Sequence, residues 1–153
     1  MEDFYQMIGL GKTDEVKKRL EQDKLLLERK DSRGFPPLLL ASYSGQYEVA
    51  QYLISQGADV NARDSVNNTA LMGISFKGFK NIAELLLQNQ ADVNAHNSNG
   101  TTALMFAAMF GQEEIVKLLL QNNADKTIRD ASGNTAYTYA KAKGFDQVAE
   151  LVK

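Results

Sequence analysis

Histidine is scarce in this chain, and its scarcity limits the chemistry that the side chains can perform. His96 is the only histidine among 153 residues, and there is no cysteine. Acid–base catalysis would therefore depend on His96, and a transition-metal site would need carboxylates from separate parts of the chain. We read His96 as a solvated turn residue. The sequence predicts no catalytic site, no metal and no cofactor.

One short segment resembles part of a phosphate-binding loop. Gly9-Leu10-Gly11-Lys12-Thr13 ends like a Walker loop, in which backbone N–H groups and a lysine hold phosphate groups. That loop also requires a glycine five positions before Gly11, where this sequence has Gln6, and no strand is evident before it. We predict instead a turn between two helices, with Thr13 or Asp14 near the start of the second.

Composition and charge argue against two further classes of protein. The hydrophobic and charged fractions, 44% and 24%, are ordinary for a globular domain. A net charge of -2 does not favour a nucleic-acid binder, although a local basic patch stays open. No apolar run approaches the roughly 18–20 residues that span a bilayer, so no membrane segment is predicted.

The N-terminus bears on the compartment. MEDFYQMIGLGK lacks the basic start, the long apolar stretch and the cleavage site of a secretory signal. A complete chain would therefore be cytoplasmic, whereas a chain from which a signal peptide had been removed would be periplasmic or secreted. The localisation stays open between these alternatives.

The same residue types recur every 33 positions along the chain. Glycines keep this spacing at 45, 78, 111 and 144, and so does a second set of turn residues: Asp31, Asp64, Asn97 and Asp130. A fixed period of this size indicates one supersecondary unit that is copied and stacked. We therefore expect function on a surface and not in a pocket.

The copies resemble the ankyrin repeat. They read GFPPLLLASYSGQYEVAQYLISQGADVNARD from Gly34, NNTALMGISFKGFKNIAELLLQNQADVNAHN from Asn67, GTTALMFAAMFGQEEIVKLLLQNNADKTIRD from Gly100 and GNTAYTYAKAKGFDQVAELVK from Gly133. The family pattern runs through a turn, T-P-L-H, a short helix, a glycine turn, a longer helix and G-A-D-V-N-A. Short bacterial ankyrin proteins contain phrases similar to TALMGISFKG and TALMFAAMFG.

This resemblance implies an all-α solenoid of about five helix-turn-helix units with fingertip turns and polar capping repeats. Residues 1–153 would form a single domain, with approximate repeats 1–33 as the N-terminal cap, 34–66, 67–99, 100–132 and 133–153 as the C-terminal cap. The family histidine is replaced in every copy, by Leu39, Met72, Met105 and Thr138. We expect apolar packing to replace its polar network.

Each copy also has local signals for two helices. In three copies a threonine, Thr69, Thr102 or Thr135, stands where it would cap the first helix, and the repeated glycine suits a positive-φ turn before the second. Apolar residues at helical spacing predict a core stripe on each second helix: Val49, Leu53 and Ile54, then Ile82, Leu86 and Leu87, then Ile115, Leu119 and Leu120.

The resemblance implies that partners meet a concave face made of the fingertips and the exposed edge of each first helix. The two positions before each inter-helix glycine belong to that edge. They hold Tyr43 and Ser44, Phe76 and Lys77, Met109 and Phe110, and Ala142 and Lys143, of which Tyr43, Phe76, Lys77, Met109 and Phe110 are the candidate partner contacts. We predict a continuous patch of Tyr43, Phe76 and Met109, extended by Phe110. The alternative is that these side chains fold back into the core.

A second column lies at the fingertips, one residue before each turn, and it holds Lys30, Arg63, His96 and Arg129. One repeat separates neighbouring members, which is about a Debye length, so their shared field would be weak. This column favours a partner with an acidic edge, and a solvated row of turn residues is the alternative.

Taken together, the sequence favours a non-enzymatic protein-interaction module that is monomeric when unbound. Its partner would be another protein, with inhibition of, or protection against, a partner enzyme as the preferred version. Nucleic acid is less favoured, because aromatic residues do not alternate with basic ones. Two other classes stay open: a passive or self-associating scaffold, and an enzyme that depends on His96.

Overall fold

The molecule is a stack of helix pairs. The computed structural model describes residues 2–153, and in that range it contains ten α-helices and no β-strand. The pairs are α1 (Phe4–Gly9) with α2 (Thr13–Gln22), α3 (Pro37–Tyr43) with α4 (Tyr47–Ser55), α5 (Ala70–Lys77) with α6 (Lys80–Gln88), α7 (Ala103–Met109) with α8 (Glu113–Gln121), and α9 (Ala136–Lys143) with α10 (Asp146–Val152). A 3₁₀ turn, Lys24–Leu27, follows α2. The predicted all-α repeat solenoid is confirmed.

The first helix of three pairs begins at a threonine. The hydroxyls of Thr69, Thr102 and Thr135 each accept a hydrogen bond from the backbone N–H three residues on. Such a cap is worth about 1 kcal/mol, because it satisfies an N–H group that has no partner inside the helix. Helix α3 has no side-chain cap and begins at Pro37, whose ring fixes a helical φ. Local sequence therefore sets where these helices start.

Glycine is required between α3 and α4, at Gly45, for two separate reasons. Gly45 has φ +72°, in the left-handed region that other residues rarely occupy. A Cβ at Gly45 would also lie 3.0 Å from the ring of Phe79, which belongs to the next repeat. This glycine therefore lets the next repeat approach the turn.

Polar contacts also cross between repeats, which the sequence analysis did not anticipate. The side-chain amide of Gln46 donates to the carbonyl of Gly9 (2.9 Å), and that of Gln112 donates to the carbonyl of Phe76 (3.1 Å). Met72 and Met105 are buried at the family's histidine position, in keeping with apolar packing there. Leu39 is buried there as well, whereas Thr138 is exposed and its hydroxyl accepts from the N–H of Thr135. The expectation that apolar packing replaces the polar network is thus right for three copies, wrong for the last, and incomplete for the stack.

The fingertip turns are held by short polar side chains. The side-chain oxygens of Asp31, Asp64, Asn97 and Asp130 each accept from the N–H groups two and four residues on. Neighbouring turns are also joined, since the N–H of Ser98 donates to the carbonyl of Val66 (3.1 Å). These turn residues are therefore structural.

The helices form two layers. The first helices α3, α5, α7 and α9 pack side by side and more closely than the second helices do. Small buried residues in the first layer permit this approach, among them Ala41, Ala70, Ala103 and Ala107. Because neighbouring second helices lie further apart than neighbouring first helices, we infer that the stack curves with its first helices on the concave side.

The apolar stripe of the second helices is buried along most of its length. Val49, Leu53, Ile82, Leu86, Ile115 and Leu119 are almost fully buried. The remaining members, Ile54, Leu87 and Leu120, are only half-buried and pack at the edge of the core. The predicted stripe is therefore buried in the core at two positions of each helix and only partly buried at the third.

Candidate partner-binding face

Three aromatic rings from successive repeats meet at the edge of the first-helix layer. The rings of Tyr43 and Phe76 are nearly parallel, with centroids 6.2 Å apart, and Phe76 meets Phe110 edge to face at 4.4 Å. Tyr43 is 40% exposed and Phe110 44% exposed, whereas Phe76 is half-buried between them. We call Tyr43, Phe76 and Phe110 the ring patch. It is a surface feature that the rings themselves hold in place.

The ends of the first helices set the order of these rings. Tyr43 is the last residue of α3, and Phe76 lies in the last turn of α5. Helix α7 ends at Met109, and Phe110 follows it as the capping residue. Phe110 therefore supplies the third ring, while Met109, which the sequence placed third in the patch, lies half-buried beside it.

Lys77 adds a positive charge to the ring patch. Its ammonium nitrogen lies 4.8 Å from the centroid of the Tyr43 ring. A cation over an aromatic face is attracted by the electrons of the ring, by about 0.5–1 kcal/mol at an exposed site. The exposed lysine thus fixes the ring of the preceding repeat and still presents its charge to solvent.

A hollow opens beside the ring patch because Gly73 has no side chain. Its volume is about 210 Å³, and its lining consists of Tyr43, Asn68, Met72, Gly73, Phe76 and Phe106. The other repeats place Leu40, Phe106 and Tyr139 at the position of Gly73. A Cβ at Gly73 would lie 3.2 Å from Cδ2 of Tyr43. We call this cavity the Gly73 hollow.

The fingertip column is partly engaged in holding the turns. The guanidinium of Arg63 donates to the carbonyls of Asn67 (2.9 Å) and His96 (2.8 Å), so it ties its own turn to the next. Arg129 donates to the carbonyl of Gly133 (2.8 Å). Both guanidinium groups therefore stabilise the turns by hydrogen bonds in addition to carrying a positive charge.

The other two members of the column are exposed. The side chain of Lys30 extends into solvent. The imidazole of His96 is also exposed, and its Nδ1 lies 3.2 Å from the carbonyl of Asn97. The structure places all four residues on successive turns, as the sequence spacing requires, without joining them into one compact site.

Two turn carboxyls have a perturbed pKa. Burial would raise the pKa of Asp31, but hydrogen bonds from the Phe35 N–H and from Arg33 hold it below its usual value. Burial acts in the same direction on Asp130, where the Tyr139 hydroxyl and backbone N–H groups lower the pKa. Each carboxyl is therefore a stabilised acceptor within its turn.

The segment that resembles a phosphate loop is a turn in the structure. Gly11 has φ +73° between α1 and α2, and α2 begins at Thr13. The ammonium of Lys12 pairs with the carboxylate of Glu2 at 2.6 Å. The predicted inter-helix turn is confirmed.

The described residues were also compared with the requirements of a metal site and of a membrane span, and they meet neither. Within residues 2–153, no three side chains of histidine, cysteine, aspartate or glutamate come close enough together to hold a metal ion. None of the helices in this range has the length and apolar character needed to cross a bilayer.

Comparison with known families identifies the repeat. The model for ankyrin repeats matches residues 71–153 as three copies, and a single ankyrin-repeat model matches residues 33–65. The chain belongs to the ankyrin-repeat family. Ankyrin repeats are in general non-enzymatic and bind other proteins, so this ankyrin stack is a protein-interaction module.

Individual relatives share only part of their length with this chain. A 68-residue segment is 32% identical to the DNA-binding protein RFXANK of Homo sapiens, covering 44% of this chain and 26% of that protein. A 56-residue segment is 43% identical to the serine/threonine-protein kinase VIK of Arabidopsis thaliana, covering 37% and 13%. A 62-residue segment is 32% identical to palmitoyltransferase akr1 of Aspergillus oryzae, covering 40% and 8%. This chain thus spans about a quarter or less of these relatives.

Proposed function

We propose that this ankyrin stack binds a partner protein through its first-helix face, with the ring patch at the centre of contact. The observation that carries the proposal is the exposure of Tyr43 and Phe110 beside Phe76 on the surface. Aromatic anchors that become buried in an interface each contribute about 2 kcal/mol or more. The rings already touch one another, so little ordering entropy is lost on binding.

The charges of the same face support a partner with acidic groups. Helices α3, α5, α7 and α9 contain no aspartate or glutamate, and they carry Lys77, Lys141 and Lys143. Lys30, Arg63 and Arg129 add positive charges at the fingertips, each one residue before an aspartate: Asp31, Asp64 and Asp130. Complementary charge mainly speeds association and excludes wrong partners.

We further propose what binding does to the partner. A rigid face of this kind acts by covering part of the partner's surface, and the effect that we favour is inhibition of, or protection against, a partner enzyme. The chain would perform no chemistry of its own.

Affinity capture from the source cell tests the binding proposal. Tyr43→Ala combined with Phe76→Ala should abolish recovery of the partner, and should weaken its measured affinity by at least about tenfold. Tyr52→Ala is the matched control, because Tyr52 also carries a lysine over its ring, Lys17 at 5.2 Å, but belongs to the second-helix layer. Equal recovery by the double variant and the control would contradict the proposal.

Light scattering distinguishes binding to a different protein from the alternative, a scaffold that associates with itself. A chain that is monomeric at all concentrations supports a partner of different sequence. A dimer that forms with rising concentration and is lost in Phe76→Asp would instead show that the ring patch binds a second copy.

A further inference from the structure

We infer that the Gly73 hollow receives one aromatic side chain of the partner, and that this side chain belongs to an acidic segment. The inference rests on the proposed function and makes it more specific, since it names a position within the face and the chemistry that fits it. Four observations support it: the aromatic lining of the hollow, its size, the fixed position of its polar residue Asn68, and the charge around it.

The hollow is lined for an aromatic ring. Three of its residues, Tyr43, Phe76 and Phe106, are aromatic and come from three successive repeats. Met72 adds a polarisable thioether, and the backbone of Gly73 completes the lining. Aromatic pairs prefer edge-to-face or offset contacts, which contribute about 0.5–1.5 kcal/mol beyond simple burial, and sulfur also packs well at a ring edge.

Size supports the same occupant. An engineered protein cavity of roughly 150 Å³ admits benzene. The Gly73 hollow has a volume of about 210 Å³, which is enough for a phenyl ring and its attachment. The hollow lies in the one repeat that has glycine where the others have leucine, phenylalanine or tyrosine, so a partner ring would enter space that this repeat leaves open.

The polar part of the lining is fixed in place. The side-chain oxygen of Asn68 accepts from the amide of Asn97 (2.9 Å), and its nitrogen donates to the carboxylate of Asp64 (3.3 Å). Asn68 is thus held by two neighbouring turns. A fixed lining favours binding, since it does not have to be ordered when the ring enters.

The positive charge around the hollow favours acidic residues next to the inserted ring. Lys77 lies beside the hollow with its ammonium over the ring of Tyr43, and the first helices named above carry no carboxylate. The layer formed by α4, α6, α8 and α10 has the opposite character, with two lysines, Lys80 and Lys117, against Glu48, Glu84, Glu113, Glu114, Asp146 and Glu150. An aspartate or glutamate near the inserted ring would meet Lys77.

A library of random twelve-residue peptides displayed on phage tests the inference directly. Peptides selected on the full wild-type chain should be enriched in a phenylalanine, tyrosine or tryptophan with an aspartate or glutamate close by. Synthetic copies of these peptides should bind Gly73→Leu at least about tenfold more weakly, because leucine fills the hollow. Lys77→Gln should weaken them less and reduce the salt dependence of binding.

Two variants control for misfolding and for position. Gln51→Leu introduces the same side chain at an exposed site on helix α4, in the second-helix layer, and should bind the peptides as the wild type does. Gly73→Ala introduces only the Cβ that lies 3.2 Å from Tyr43, and it should reduce binding by a smaller factor than leucine. Circular dichroism and thermal unfolding identify any variant that does not fold, and Gly73→Ala then carries the test.

Three outcomes would overturn the inference. Selected peptides without an aromatic residue would do so, as would self-association of the chain that Gly73→Leu abolishes. Peptides that tolerate both Gly73 variants but are lost with Tyr43→Ala and Phe76→Ala would also overturn it, while leaving the proposed face intact. Peptides indifferent to every one of these variants would contradict both proposals.

Discussion

The two ring contacts of Phe76 differ in geometry, and this difference should be measurable as coupling free energy. Phe76 meets Phe110 edge to face with centroids 4.4 Å apart, an arrangement worth about 1 kcal/mol. The contact with Tyr43 is parallel and longer, at 6.2 Å, so we expect about 0.5 kcal/mol or less. Replacing each ring by leucine keeps an apolar side chain while removing the ring contact.

Urea unfolding of two double-mutant cycles would give these couplings. One cycle combines Phe76→Leu with Phe110→Leu, and the other combines Phe76→Leu with Tyr43→Leu. Free energies should be compared at the transition midpoints, because extrapolation to water adds error. We expect the Phe110 cycle to show the larger coupling.

Either of two results would refute the reasoning. A coupling near zero between Phe76 and Phe110 would show that the rings do not hold one another in place. A loss of more than about 3 kcal/mol in Phe76→Ala alone would show that Phe76 is a core residue, because losses of that size come from truncating fully buried side chains. The ring patch would then be packing and not a docking surface.

Two further sets of substitutions test the repeat structure that supports the ring patch. Gly45→Ala should destabilise the protein more than Gly144→Ala in urea unfolding. Both glycines have a positive φ, but only Gly45 has the ring of Phe79 against its Cβ position, so equal losses of stability would contradict this expectation. Asp130 has a pKa held below its usual value, so its stabilisation is present above about pH 4 and is lost as the pH falls through the lower pKa of the folded state. Asp130→Asn and Tyr139→Phe should therefore reduce the loss of stability in acid, and acid profiles identical to that of the wild type would show that this carboxyl does not contribute.

Much of the fold could be predicted from the sequence because it depends on local signals. The capping threonines and the glycines between helices act through hydrogen bonds and φ angles within one repeat, so the period alone locates them. Ile54 was less predictable, since its degree of burial depends on how far the neighbouring repeat covers it. The cross-repeat bonds of Gln46 and Gln112 had no distinctive signal except that glutamine recurs at alternate repeats.

The candidate site was only partly predictable for a related reason. Tyr43 and Phe76 follow the period, but Phe110 is displaced by one residue and reaches Phe76 because α7 ends at Met109. The Gly73 hollow did have a signal, namely a glycine where the other copies have leucine, phenylalanine or tyrosine. That signal indicates a missing side chain, and only the positions of the surrounding rings show that a cavity results.

Site-specific photo-cross-linking in the complex tests the central claim most directly. A benzophenone side chain placed at Phe110, on the ring patch, is compared with one at Tyr52, on the second-helix layer, after the partner has been recovered with the wild-type chain. We expect a covalent product with the partner from position 110 and none from position 52. A product from position 52 without one from position 110 would contradict the claim that the ring patch binds the partner.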